Sequence, residues 1–421
     1  MNRRAFLSLS TATFATGLPR PSRAAAAPKI LLRSSWQTVN IGDIAHTPGV
    51  LALLEKHVPE ANVTLWPSKL DNGVEELLRK RFPRVKFALT DADKKAAIKE
   101  NDFFLHGSGP SLVGENELRR WVKESARPYG VYGITLPSQS STSTSPTQPE
   151  KLQKTVELMS GGNFAYFRDS RSLELAKKIG CKAPVMEFGP DGAFAVDLAN
   201  DAPAEAFLKK HELEAGKFIC CIPRLRFSPY WKMKEGAAFD AKKHARNEEM
   251  KDHDIGPLRD AITRIVTETD YKVLLCPEDK SHVELGKLEI YDRLEPSVRK
   301  KVVWRDSYWL TDEAISTYRR SGGLFGLEMH SPIMCVGNGI PALVGRFAEQ
   351  TTKGFMWEDI GLKEWLFDTD VETQRAQIAE TALRIATHPE EARTKTEKAR
   401  SYVKQRQKET MSELRKALGL A

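Results

Sequence analysis

Residues 322–361 read GGLFGLEMHSPIMCVGNGIPALVGRFAEQTTKGFMWEDIG. Leu324 to Met329 is expected as a short buried strand, apolar except for one carboxylate at Glu328. The strand delivers His330, and Ser331 with Pro332 then supply an N-cap and a first helical residue. Gly339 closes the short helix, and Ile340 to Val344 begins another strand. His330 is thus expected at a strand's carboxyl end, beside a helix N-terminus whose free N–H groups favour an anion. Glu328, two residues earlier, shares its face of the strand. His330 and Glu328 are the candidate catalytic pair, and Ser331 a candidate ligand of the substrate.

Working outward from this stretch, strands alternate with helices in both halves of the chain. That pattern argues for α/β with parallel sheets. Lys29 to Arg33 is the first strand, and its exit carries Asn40-Ile41-Gly42-Asp43. Asn40 and Asp43 offer short polar arms there, and Gly42 lets backbone approach a ligand; ordinary turn chemistry accounts for the same residues equally well. Asp102 to Leu105 is a strand leading to Gly107-Ser108-Gly109. Phe164 to Phe167 ends in Arg168-Asp169, where a guanidinium can hold a phosphate or carboxylate, or merely start the next helix. Asp191-Gly192-Ala193-Phe194 reads as a structural turn. Phe218 to Ile222 begins a second sheet, and Arg224 and Arg226 leave its carboxyl end. Tyr271 to Cys276 is a strand closed by Pro277-Glu278-Asp279, Thr311 caps a helix into Tyr318, and beyond Trp365 the chain is expected to be helical.

The ends carry a different signal. Asn2-Arg3-Arg4-Ala5-Phe6-Leu7 resembles the twin-arginine export motif, and a mild apolar run and four alanines ending at Ala27 follow. Residues 1–27 are therefore expected to be a signal peptide, with the protein in the periplasm or at the cell surface; the alternative is cytoplasmic. The run is too short and polar for a stable membrane span. The whole chain is +8; without the four arginines of residues 1–27 it is +4, which gives no reason to expect nucleic acid. Five cysteines without metal spacing are expected as buried thiols. The Ser/Thr/Pro/Gln-rich run from Pro137 to Pro149 reads as a mobile loop or lid. The expected division is 28–215 and 216–370 as two domains, with 371–421 helical.

Three blocks together resemble the polysaccharide pyruvyl transferase family: Asn40-Ile41-Gly42-Asp43, the Phe164–Leu173 segment with Arg168-Asp169-Ser170, and His330-Ser331 followed by Gly339-Ile340-Pro341, Lys353 and Asp359-Ile360-Gly361. The resemblance implies two Rossmann-like domains facing a cleft, in a glycosyltransferase-B-like arrangement. It implies transfer of pyruvate from phosphoenolpyruvate to a sugar of a cell-surface glycan, forming a ketal, with no cofactor and no metal. It makes His330 the proton-transfer group. Arg168, Arg224 or Arg226 and Lys353 become anion ligands, and Asn40, Gly42, Asp43, Gly107 and Gly109 line the cleft. One place departs: Glu328 stands where the family has Arg. A carboxylate there reverses the local field, by roughly several kcal/mol at an effective dielectric of ~20. Beside His330 it is expected to raise the imidazole pKa. Two other readings remain: a glycosyltransferase on the same fold, or an exported non-catalytic glycan-binding protein.

Overall fold

The computed structural model describes residues 27–34, 37–136 and 149–420. The twin-arginine segment and the run at 137–148 lie outside the described residues. The first sheet contains β1 (Lys29–Arg33), β2 (Asn62–Trp66), β3 (Lys86–Phe87), β4 (Phe103–His106), β5 (Tyr129–Ile134), β6 (Phe164–Phe167) and β7 (Val185–Phe188). The second contains β8 (Phe218–Ile222), β9 (Lys272–Leu275), β10 (Val302–Trp304), β11 (Gly323–Gly326), β12 (Ala342–Arg346) and β13 (Leu366–Asp368). Their orders are β3-β2-β1-β4-β5-β6-β7 and β10-β9-β8-β11-β12-β13. Every ladder between these strands is parallel. Parallel strands need long crossovers and bury both faces, which is why the strands read as continuous apolar runs such as Ile30–Leu32 and Phe218–Ile222.

In each sheet the chain first builds outward to one side, then returns to the middle and builds to the other. The switch falls between β1 and β4 in the first sheet and between β8 and β11 in the second. Crevices at the carboxyl ends of strands open at such points. Here the two crevices face each other. Asn40 pairs with Asp279 as an isolated antiparallel bridge, Ile41 N–H donates to the Glu278 carbonyl at 2.9 Å, and Lys280 N–H donates to the Val39 carbonyl at 3.3 Å.

Several local expectations change. β11 ends at Gly326 rather than Met329, because its backbone lies against Ile222: a Cβ on Gly326 would stand 2.3 Å from the Ile222 carbonyl oxygen. The following helix begins at His330, with Met329 as its cap residue, so Ser331 is not the N-cap. The acceptor comes from another element instead: Ser331 N–H donates to Glu278 Oε2 at 2.6 Å. The Ser331 hydroxyl lies 3.1 Å from the Tyr318 hydroxyl, which donates to it. Thr311 is likewise a first helical residue rather than a cap, and its hydroxyl donates to the Ile41 carbonyl across the domain seam at 2.9 Å. Past Trp365 the chain adds the edge strand β13 before turning helical. The last helix, Pro389–Ala417, runs from the second sheet's side back to the first: Arg400 donates to the Gly337 carbonyl, Arg406 to Glu187 and the Phe188 carbonyl, and Arg415 to Glu60. All five cysteines are free and buried. Among the described residues, no helix is long and apolar enough to cross a membrane.

Candidate active site

The Ile41–His57 helix leaves β1 and points its first turn at the second domain. Asn40 is its N-cap, the side-chain oxygen accepting from Gly42 N–H at 2.7 Å and Asp43 N–H at 3.2 Å. Asn40 thus serves the backbone. Gly42 is needed for a close approach, but what approaches is His330: a Cβ on Gly42 would stand 2.2 Å from the His330 Cβ. Asp43 and His46, three residues apart, share the face of the helix turned to His330.

From this contact runs a continuous buried string. His330 Nδ1 lies 3.2 Å from Glu278 Oε1, and His330 Nε2 lies 3.3 Å from His46 Nε2. His46 Nδ1 lies 2.9 Å from Asp191 Oδ1 and 2.8 Å from the Ser108 hydroxyl. Asp191 Oδ2 accepts from Arg168 Nη1 at 2.5 Å, and Arg168 Nε donates to Thr135 at 2.8 Å. Arg168 Nη2 is buried without a hydrogen-bond partner among the described residues. Arg168, Asp191, His46, His330 and Glu278 each have at most 4 % of their surface exposed. The string therefore crosses the domain seam in a medium where each charge depends on its neighbours.

Burial opposes ionisation of Asp191, but His46 and Arg168 hold its carboxyl well below the usual range. Burial pushes His46 down, with Asp191 opposing. His330 is held well below its ordinary value, chiefly by burial and then by the charge of Lys353. The expected upward shift from Glu328 does not arise. That carboxylate accepts from Arg224 Nη1 at 2.6 Å, and its other oxygen lies 3.7 Å from His282 Nε2. The partner of His330 is Glu278. Burial thus disfavours the charged form of His330, which counts against a standing acid there. Asp43 is the group moved closest to neutrality: burial, with Glu278 and Glu328 adding to it, raises its pKa to about 7 against the pull of Lys353.

Two cations border this string. Lys353, part-buried, makes no ion pair among the described residues, and burial pulls its ammonium pKa down while Glu328 opposes. Arg224 is also part-buried, and its Nε has no hydrogen-bond partner. Arg226, expected beside it as an anion ligand, is not available. It is paired with Asp254 at 2.7 Å, Glu349 at 2.8 Å and Asp370, and is a structural knot behind β8. The chain bends at Arg226 after leaving β8, so the two arginines, two residues apart, do not share the face that a continued strand would give them. Gly107 and Gly109 also act in the framework: Gly107 N–H donates to the Arg33 carbonyl at 3.0 Å and Gly109 pairs with Ile134.

His46, Glu278 and Asp191 were not foreseen as site residues. The i, i+3 spacing of Asp43 and His46 on one helix face was a usable signal. For Glu278, nothing local marks the carboxylate that another domain's helix will meet.

A family model described as polysaccharide pyruvyl transferase matches residues 40–344. Among solved structures, S. aureus MnaA in complex with UDP is similar at 11% identity and TM-score 0.57, covering 94% of this chain and 98% of that one. HepE of Anabaena, in complex with UDP and glucose, gives 11% identity and TM-score 0.56, covering 94% and 100%. The UDP-GlcNAc 2-epimerase of Methanocaldococcus jannaschii gives 13% and 0.52, covering 84% and 92%. These likenesses establish the glycosyltransferase-B-like fold. No curated protein matches the chain. With the three sequence blocks converging on one seam and the family model spanning most of the chain, this protein belongs to the polysaccharide pyruvyl transferase family.

Proposed function

We propose that the protein is a glycan-modifying transferase that moves a pyruvyl group from phosphoenolpyruvate onto two hydroxyls of one sugar. The products are a ketal and inorganic phosphate. The observation that carries this reading is the set of cationic donors at the seam: the Lys353 ammonium, Arg224 Nε and buried Arg168 Nη2. A donor bearing a phosphate and a carboxylate needs such a set, and preorganised cations in a partly dry site act strongly on developing charge. In the reaction a proton reaches the methylene carbon, a sugar oxygen bonds to the central carbon, and phosphate leaves as the second hydroxyl attacks. Each hydroxyl gives up its proton, one replacing that delivered to carbon and one departing with phosphate. Lys353 is the group we assign to proton delivery, since it is a part-buried ammonium with no ion pair among the described residues.

The test is phosphate release from phosphoenolpyruvate with a panel of sugars. Lys353→Arg keeps the charge but cannot give up its proton at neutral pH, so donor KM should stay within about threefold while kcat falls at least ~100-fold. Lys353→Met should lose both. Wild-type protein that releases no phosphate with any acceptor would set pyruvyl transfer aside. Export through the twin-arginine segment is part of the same proposal, and places the acceptor at the cell surface. Protein isolated from its own cells should begin near Ala27 or Pro28, as read by N-terminal sequencing, and intact Met1 throughout would remove it.

A further inference from the structure

His46 and His330 meet in a way that hydrogen bonding between two neutral rings does not satisfy. Each directs Nδ1 at a buried carboxylate, Asp191 for His46 and Glu278 for His330. A carboxylate accepts, so each Nδ1 carries the ring hydrogen and each Nε2 is left with its lone pair. Those two lone pairs face each other across 3.3 Å. Two acceptors in that relation repel unless a positive charge lies between them.

We propose that this charge is a divalent metal ion, held by Nε2 of His46, Nε2 of His330 and the carboxylate of Asp43. One oxygen of Asp43 and one nitrogen of each ring lie within 4.8 Å of one another, all on buried residues. Two imidazole nitrogens at ~2.05 Å from a tetrahedral ion stand about 3.3 Å apart, and their ring centroids about 5 Å apart. The observed centroid separation is 5.0 Å, with the ring planes 84° apart. A histidine that donates its other N–H to a carboxylate is the usual outer arrangement of a metal ligand, and here both histidines have it. Charge points the same way. Asp43, Asp191, Asp279, Glu278 and Glu328 are buried here beside Arg168, Arg224 and Lys353, leaving the carboxylates in excess. Two imidazoles and one carboxylate suit an ion of borderline softness, Zn²⁺ or Co²⁺, with an open coordination position.

This inference stands on the histidine geometry and does not need the donor to be phosphoenolpyruvate. The full-length chain would be stripped with chelator, dialysed, and titrated with Zn²⁺ alone, without donor or sugar. Mass spectrometry of the metal should give one equivalent per chain, with Tm rising several degrees. Co²⁺ in its place should give the intense visible bands of a four-coordinate ion. His46→Asn and Asp43→Asn should each weaken Zn²⁺ at least ~100-fold, since removing a ligand costs more than the 10–100-fold typical of its outer partners. His388→Asn, a histidine distant in sequence and exposed in the last helix's approach, should bind as wild type does. Circular dichroism of each variant separates a lost ligand from a lost fold, and if both ligand variants unfold, the Co²⁺ spectrum of the wild type decides. Absence of stoichiometric binding by the wild type to both Zn²⁺ and Co²⁺, or unaltered binding by folded His46→Asn, would overturn the proposal. Because no donor is present, a negative result for phosphate release leaves this outcome unaffected.

Discussion

At the scale of single residues, Glu328 is the position where family pattern and chemistry pull apart, and its partner explains how the chain accommodates it. Glu328 is buried and accepts from Arg224 Nη1 at 2.6 Å, while the buried Nε of that side chain has no hydrogen-bond partner among the described residues. A buried charge without this pairing would be costly, so the two are best treated as one unit. Glu328→Gln keeps the shape and an acceptor for Arg224 while removing the negative charge. KM for phosphoenolpyruvate in the phosphate-release assay should then fall about tenfold, equivalent to about 1.4 kcal/mol. An unchanged KM would mean that Glu328 does not oppose the donor. Glu328→Arg, by contrast, would set two guanidinium groups against each other in a buried place, and stability rather than affinity should suffer.

At the scale of elements, the first turn of the Ile41–His57 helix is the part on which the site is built. Asn40 caps it, Gly42 admits His330, and Asp43 and His46 project from it. Lower on the same helix, Gly49 lies so close to the Asp191–Ala195 turn that a Cβ would stand 2.0 Å from the Gly192 carbonyl oxygen. That packing keeps Asp191 within reach of His46. Gly42→Ala should therefore cost at least the 1–3 kcal/mol typical of overpacking, roughly, because the obstacle is the base of the His330 side chain and not its flexible end. Chemical denaturation would measure the loss, and activity should fall further than stability as the ring is displaced. A variant with wild-type stability and turnover would show that the helix and His330 can move apart freely.

At the scale of the whole molecule, a histidine outside the site is expected to lower stability in acid. His106, at the end of β4, is buried and accepts from Gly114 N–H through Nε2 at 3.1 Å. Burial, with Arg33 adding to it, lowers its pKa from 6.5 to about 3. Between those values the unfolded chain binds a proton that the folded chain refuses. The stability present above 6.5 is thus lost as pH falls, at up to about 1.4 kcal/mol per pH unit for this one group. Urea unfolding at a series of pH values should show that slope, and His106→Gln, whatever its absolute stability, should flatten it. An equal slope in both proteins would assign the acid sensitivity elsewhere.

How much of this was legible beforehand follows from the range over which each interaction acts. Apolar runs bounded by Gly, Pro and Asn announce buried parallel strands, because burial on both faces demands such runs within a few residues. Two α/β halves, the Asn40 turn, the Arg168 exit and the His330 exit could all be read from neighbours in the chain. The roles at those exits could not. Ser331 looks like a cap in its own segment, yet Glu278 accepts its N–H across 53 positions of sequence. Glu328 looks like the partner of His330, yet the backbone bend after Gly326 and the reach of Arg224 direct it elsewhere. His46 sits in a helix in plain view, and only the facing domain supplies the ring that gives it a purpose. Local composition sets which elements form; a buried charge takes whichever counter-charge the packed domains bring within about 3 Å, and that distance is fixed by tertiary structure alone.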